Sequence, residues 1–266
     1  MPERRTRTRP IRIAVQVGQQ HADFAVLRDA ALRAEDAGAD IVFNWDHFFP
    51  YTGDPEGKSF ECLTMLASLA EATERVELGA LVTCVAYRNP HLLADMARTV
   101  DHISGGRFIL GLGAGWYERD YQEYGYDFPP ITERLRRLAH DVPIIRDRLG
   151  RLNPPPMRRM PILIGGSGER VTLRIVAEHA DIWHSYGSAV ELRRKTSVLE
   201  GWCQRVGRDP DQIERSTAIY QGYSAGLASD LLDARVSLVV FEHSGPDFNF
   251  SELPAWIRWR GEVNAA

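Results

Sequence analysis

The sequence predicts one α/β domain, a (β/α)8 TIM-type barrel, over residues 11–266 of its 266. Three observations carry this. Eight short apolar runs alternate with longer stretches of helical periodicity, the pattern of parallel strands joined by crossovers. No linker or low-complexity segment divides the chain, and its length suits one such barrel. The turn after the first run, Gly18-Gln19-Gln20-His21, lacks the glycine pattern of a doubly wound dinucleotide sheet, the alternative architecture.

The elements follow in order. Residues 11–17 (IRIAVQV) read as the first strand, and 24–37 as a helix stopped at Gly38. Residues 40–45 form the second strand and 60–73 the second helix. A long third strand is expected over 76–86, then a helix opened by Pro90 and His91 and closed by Ser104-Gly105-Gly106. Residues 107–112 are the fourth strand, and 131–148 a helix with a disturbance expected at Pro143. After a loop over 153–156, residues 161–165 form the fifth strand, with a helix over 169–179 following at once. The sixth strand is 181–184, the next helix 190–206, and the seventh strand 213–219. A short helix near 227–234 leads to the eighth strand, 236–241, and a final helix spans 251–263. Residues 1–10 read as a frayed basic tail, with no apolar signal-peptide core behind it.

Composition excludes several function classes. A net charge of −4 argues against a nucleic-acid or membrane-surface binder. No run approaches the roughly 20 apolar residues of a membrane span. Cys62, Cys84 and Cys203 are dispersed, so neither a disulfide framework nor a zinc site is expected, in keeping with a cytoplasmic location. The first strand carries no histidine for a metal-dependent hydrolase, and there is no GxSxG elbow or Walker lysine. No metal site is expected.

In such a barrel the active site lies on the loops after the strands. The second strand ends in Asn44-Trp45-Asp46-His47-Phe48-Phe49-Pro50, which sets an acid beside an imidazole that titrates near neutrality. The pair either touches a cofactor and moves a proton, or Asp46 caps a turn and His47 is merely exposed. The fourth strand ends in Gly111-Leu112-Gly113-Ala114-Gly115-Trp116. Alternate glycines weaken a strand and mark close approach of a ligand or another backbone, or a tight turn. The fifth ends in Gly165-Gly166-Ser167-Gly168, whose backbone amides suit an anion such as phosphate. The sixth ends in Trp183-His184-Ser185-Tyr186, with His184 either in a pocket or packed below the rim.

Taken together, WDHFFP at 45–50, LGALVTCVAYRNP at 78–90, ISGGRFILGLGAGWYERDYQEYG at 103–125 and PILIGGSGERVTLRIVAEHADIW at 161–183 resemble the luciferase-like monooxygenase superfamily. The resemblance is strongest to its coenzyme F420-dependent oxidoreductases and covers about residues 11–259. It implies a luciferase-like barrel that transfers hydride between a deazaflavin and a small organic substrate. By the same resemblance Asp46 and His47 contact the ring and the substrate side. Leu81-Val82 is a non-proline cis peptide behind the ring, next to Thr83. Gly113, Ala114 and Gly115 lie beside the ring and its chain, and Gly165, Gly166, Ser167 and Gly168 hold the phosphate. His47, steadied by Asp46, is the expected acid or base. Trp45, Trp116, Tyr117 and His184 shape the substrate pocket.

Two departures qualify the resemblance. Trp116 stands where F420-dependent glucose-6-phosphate dehydrogenases have a glutamate, which disfavours a sugar-phosphate substrate. Residues 220–235 are shorter than the matching stretch of luciferase, which implies a more open pocket. An FMN-dependent monooxygenase, supplied by a separate reductase, is the first alternative, and a non-catalytic flavin-binding barrel the second. Such proteins often pair as homodimers.

Overall fold

In the computed structural model, which describes residues 9–220 and 222–266, the strands close into a barrel. They are β1 (Arg12–Gly18), β2 (Ile41–Asn44), β3 (Glu77–Ala80), β4 (Thr83–Cys84), β5 (Phe108–Gly113), β6 (Ile162–Gly165), β7 (Ile182–His184), β8 (Glu214–Ile219) and β9 (Leu238–Ser244). All pairings between them are parallel, and β3 and β4 both pair with β5, so they count as one interrupted barrel strand. The barrel therefore has eight strands. The register sets Gln16 beside Glu242 and His184 beside Ser216.

Strand alternation sorts side chains into two cores. Ala14, Phe43, Ile109, Leu163, Ile182 and Val240 face the lumen and form their own buried cluster. Their neighbours, such as Ile13, Val15, Val42, Leu110 and Val239, pack outward under the helices. Each aliphatic side chain so buried contributes roughly 1.5–3 kcal/mol relative to exposure. The same alternation carries Gln16, Trp45, Gly113, Gly165, His184 and Glu242 to the top of the lumen.

The helices are α1 (Phe24–Asp36), α2 (Cys62–Ala72), α3 (Pro90–Ile103), α4 (Glu118–Glu123), α5 (Ile131–Leu149), α6 (Thr172–His179), α7 (Ala189–Val206), α8 (Ala225–Asp233) and α9 (Leu253–Ala265). α1 buries Leu27, Ala30, Ala31 and Ala34, one stripe at helical spacing. Asn89 caps α3 by accepting from the His91 amide, with Pro90 at the first turn. α7 opens with a Ser188–Glu191 capping box and ends at left-handed Gly207.

Several sequence expectations need correction. The third strand breaks at a cis Leu81-Val82 bond, so 76–86 is not continuous. Such a step keeps the apolar pattern of a strand and is invisible to periodicity. α4 falls in a stretch read as connection; six residues are too few for a helical period to register. Three turn residues precede α6, so no helix follows the Gly165–Gly168 run directly. The last strand runs on to Ser244 rather than stopping at 241. α5 is continuous through Pro143. Of the expected frayed tail, residues 1–8 lie outside the described residues, but Arg9 is anchored, donating to the Asp211 and Gln212 carbonyls.

At the N-terminal face Arg12 donates to Glu77 and Glu214, tying the starts of β1, β3 and β8 together. Burial alone would depress its guanidinium, and the two carboxylates more than reverse this. A cavity of ≈ 530 Å³ opens there among arginines and acids, with Arg12, Arg158 and Arg159 in ion pairs. Among the described residues no helix is long and apolar enough to cross a membrane.

Candidate active site

A cavity of ≈ 690 Å³ opens at the C-terminal mouth. Trp45, Asp46, His47, Leu81 and Val82 line it, with Gly113, Ala114, Gly115 and Trp116 from the end of β5. Gly165, Gly166, Ser167, Gly168 and His184 complete the expected set there. Two expected residues do not line it. Thr83 is fully buried, and Tyr117 packs its ring 5.5 Å from that of His47 while its hydroxyl donates to the Pro50 carbonyl.

His47 has a partner other than the expected one. Its Nδ1 lies 2.7 Å from Asp120 Oδ2, on α4. Asp120 is fully buried. It also accepts from the Phe48 and Phe49 amides, at 3.0 and 3.1 Å, and from the Tyr87 hydroxyl at 3.2 Å. A carboxylate satisfied by four donors holds its position. As a pure acceptor it fixes the proton of His47 on Nδ1, which leaves Nε2 as the nitrogen free to act. The Trp116 and Tyr51 rings stand 5.3 and 5.1 Å from the imidazole.

Asp46 does not steady His47. Its carboxylate accepts from Arg88 at 2.6 and 3.0 Å and from the Cys84 amide at 3.0 Å. This bidentate pair, nearly buried, locks β4 against the end of β2. Burial would lower the Arg88 guanidinium, but Asp46 and Glu61 hold it well above its ordinary range. The Cys84 thiol is pushed up to about 11, chiefly by burial, so it stays protonated.

The glycines at the ends of β5 and β6 are explained by the Leu81-Val82 step between β3 and β4, a bulge in the barrel wall. A Cβ at Gly113 would come 2.4 Å from Val82 Cγ2, one at Gly111 1.8 Å from the Ala80 carbonyl oxygen, and one at Gly165 3.0 Å from Val82 Cγ1. They let Val82 sit between β5 and β6. Gly115, at φ +77, leaves room for the Tyr121 hydroxyl and Cys84. The approaching group is thus this chain's own bulge. Gln16 Nε2 braces it from β1, donating to the Leu81 carbonyl at 2.9 Å.

The residues present fit a phosphate-bearing, ring-shaped cofactor. Gly166 N–H is spent on the His184 carbonyl. The Ser167 and Gly168 amides meet no acceptor among the described residues, and Thr172 Oγ1 stands close to Gly168. Deeper in, His184 Nδ1 is 2.9 Å from Ser216 Oγ, while its buried Nε2 has no partner among the described residues. Burial pushes this imidazole down to about 3, so it is neutral at physiological pH. Thr83 Oγ1 is also buried and without a partner among the described residues. Such polar atoms need a partner that the described residues do not supply.

Four residues that line the cavity or hold its lining escape the sequence reading. Asp120 sits in the short helix α4, Gln16 in an apolar-looking strand, Arg88 in a turn, and Glu242 one residue past the expected end of the last strand. Only Glu242 left a usable signal, the lumen-facing alternation Leu238, Val240, Glu242.

A family model described as luciferase-like monooxygenase matches residues 8–221. An F420-dependent glucose-6-phosphate dehydrogenase of Microbacterium testaceum is 25% identical, over 94% of this chain and 74% of its own. Another, from Amycolatopsis mediterranei, is 34% identical over 46% of this chain and 36% of its own. The pyrimidine monooxygenase RutA of Allorhizobium ampelinum is 26% identical, over 70% of this chain and 57% of its own. The chain thus spans well under two thirds of two of these three relatives. Among solved structures, an F420-dependent secondary alcohol dehydrogenase in complex with an F420–acetone adduct superposes with a TM-score of 0.81. It has 17% identity, over 94% of this chain and 98% of that one. EDTA monooxygenase from Chelativorans superposes at 0.73, with 11% identity over 95% and 94% of the two chains. The barrel, its mouth and the match over most of its length agree: this chain belongs to the luciferase-like monooxygenase family, and the relatives it matches are oxidoreductases.

Proposed function

We propose that this chain binds coenzyme F420 at the barrel mouth and transfers hydride to or from a small organic substrate. The observation that carries the reading is the His47–Asp120 pair, a tautomer-fixed imidazole on the wall of the ≈ 690 Å³ cavity at the barrel mouth. Support comes from the F420-dependent relatives and from the fold shared with an F420-dependent alcohol dehydrogenase. When bound, a deazaflavin supplies a hydride-carrying carbon that reacts poorly with oxygen.

This chain's residues supply position and protons. Leu81 and Val82 form the shelf, with Thr83 behind it, and Gly113, Ala114 and Gly115 run beside it. The Gly165, Gly166, Ser167 and Gly168 loop would hold the phosphate, with the Ser167 and Gly168 amides as its donors. His47 Nε2 gives or takes the substrate proton, and Trp45 and Trp116 enclose the reacting side and exclude water. Asp46 holds the local backbone through Arg88 and the Cys84 amide.

The second reading is an FMN-dependent monooxygenase fed by a separate reductase, favoured by the similarity to the pyrimidine monooxygenase. Titrating the purified protein with F420 and with FMN decides between them. Preferential F420 binding and F420-linked turnover are expected. Tight FMN binding with oxygen-dependent turnover selects the alternative.

A further inference from the structure

The wall formed by β1 and β9 carries chemistry that the reading above leaves unused. Glu242 faces the lumen beside Gln16 and lines the cavity. Its Oε1 accepts from the Tyr186 hydroxyl at 2.6 Å and its Oε2 from the Tyr220 hydroxyl at 2.7 Å. It makes no ion pair among the described residues. Two tyrosines satisfy about half of the lone-pair positions of a carboxylate and none of its charge. The other acid of the cavity, Asp46, is neutralised by Arg88. No lysine or arginine is among the residues that line the cavity.

Aromatic side chains surround this charge. Tyr186 and Tyr220 are half-exposed or more. Tyr51 is near enough to Glu242 to be pushed up to about 12, by burial first and the carboxylate second. Its ring lies 5.7 Å from that of Trp116, itself 60% exposed. An uncompensated carboxylate attracts a cation by charge, and the exposed rings beside it offer faces on which a bound cation can rest. The same wall repels an anion.

We propose that Glu242, with Tyr51, Tyr186, Tyr220 and Trp116, forms a receptor for a cationic nitrogen, so that the substrate class is an amine or ammonium compound. This rests on reading the mouth as the substrate's cavity. It also separates the chain from sugar-phosphate users: the glycine-rich loop follows β6, across the barrel from Glu242, and no lysine or arginine among the lining residues offers a second phosphate a counter-charge.

The test uses three probes on the full chain, with and without added F420, by titration calorimetry. They are benzyltrimethylammonium, its neutral isostere neopentylbenzene, and benzoate. The cation is expected to bind at least about tenfold tighter than the isostere, with benzoate weakest. Glu242→Gln is expected to shrink that preference below about threefold, and Glu242→Asp to retain it. Equal affinity for cation and isostere, tighter benzoate binding, or a preference that survives Glu242→Gln each overturns the proposal. Should Glu242→Gln fail to fold, the wild-type comparison still decides. Cation selectivity without F420 binding supports this receptor and sinks the F420 reading; F420 binding without cation selectivity does the reverse.

Discussion

His47 Nδ1 and Asp120 Oδ2 stand 2.7 Å apart, joining the end of β2 to a helix more than seventy residues on. Replacing Asp120 by Asn keeps the volume but removes the charge that fixes the His47 tautomer. Turnover is expected to fall about tenfold or more, while F420 affinity changes little. The split between kcat and F420 Kd is the readout, since general damage would move both. An unchanged kcat refutes the positioning role.

His47→Ala removes the proton carrier itself. A loss of roughly a hundredfold or more in kcat is expected, with cofactor affinity held within about tenfold. Steady-state rates beside a cofactor titration check this. Undiminished turnover would sink the assignment of His47.

The glycine beside the bulge has a steric role that can be measured. Gly113→Ala places a methyl 2.4 Å from Val82 Cγ2. The expected cost is about 1–3 kcal/mol of stability, with weakened cofactor binding as Val82 shifts. Gly165→Ala, at 3.0 Å, is expected to cost less. Denaturant midpoints for the two variants give the order; the reverse order contradicts the packing argument.

Arg88→Ala leaves the Asp46 carboxylate buried without its counter-charge. A stability loss of about 3–5 kcal/mol is expected, partly recovered in the Asp46→Asn, Arg88→Ala double variant. A double-mutant cycle in urea tests the coupling. Strict additivity would show that the pair does not act as a unit.

His184 gives a pH dependence. Its folded value lies near 3 and its ordinary value near 6.5. The folded chain therefore binds fewer protons than the unfolded chain between those values. Stability is kept above about pH 6.5 and lost as pH falls toward 3. Between pH 7 and pH 5 this histidine alone accounts for about 1–2 kcal/mol. His184→Asn is expected to flatten the wild-type slope by that amount in parallel urea titrations. An identical slope in the variant contradicts the buried neutral assignment.

The fold was legible because barrel strands and their helices write their burial into the sequence. Strand runs and helical stripes such as Leu27, Ala30, Ala31 and Ala34 depend only on which residues face the core. The glycine-rich loop after β6 was legible for a similar reason, since Gly165, Gly166 and Gly168 lie within four residues. Asp46 and His47 were legible as residues but not as a pair. Adjacent side chains at a strand end point to opposite sides, so neighbours in sequence were drawn apart, one to Arg88 and the other to Asp120.

What the sequence by itself determined is the barrel, the end of it where the cavity opens, and the strand ends that line that cavity. Tertiary structure alone decided which groups meet there. Asp120 reaches His47 because the six-residue helix α4 packs against the segment that follows β2. Val82 fills the space left by Gly113 and Gly165, and Glu242 meets Tyr186 and Tyr220 across separate strand ends. Periodicity reports a residue's burial, which is local. Hydrogen bonds and ion pairs report distances between residues far apart in the chain, and those exist only once the barrel has closed.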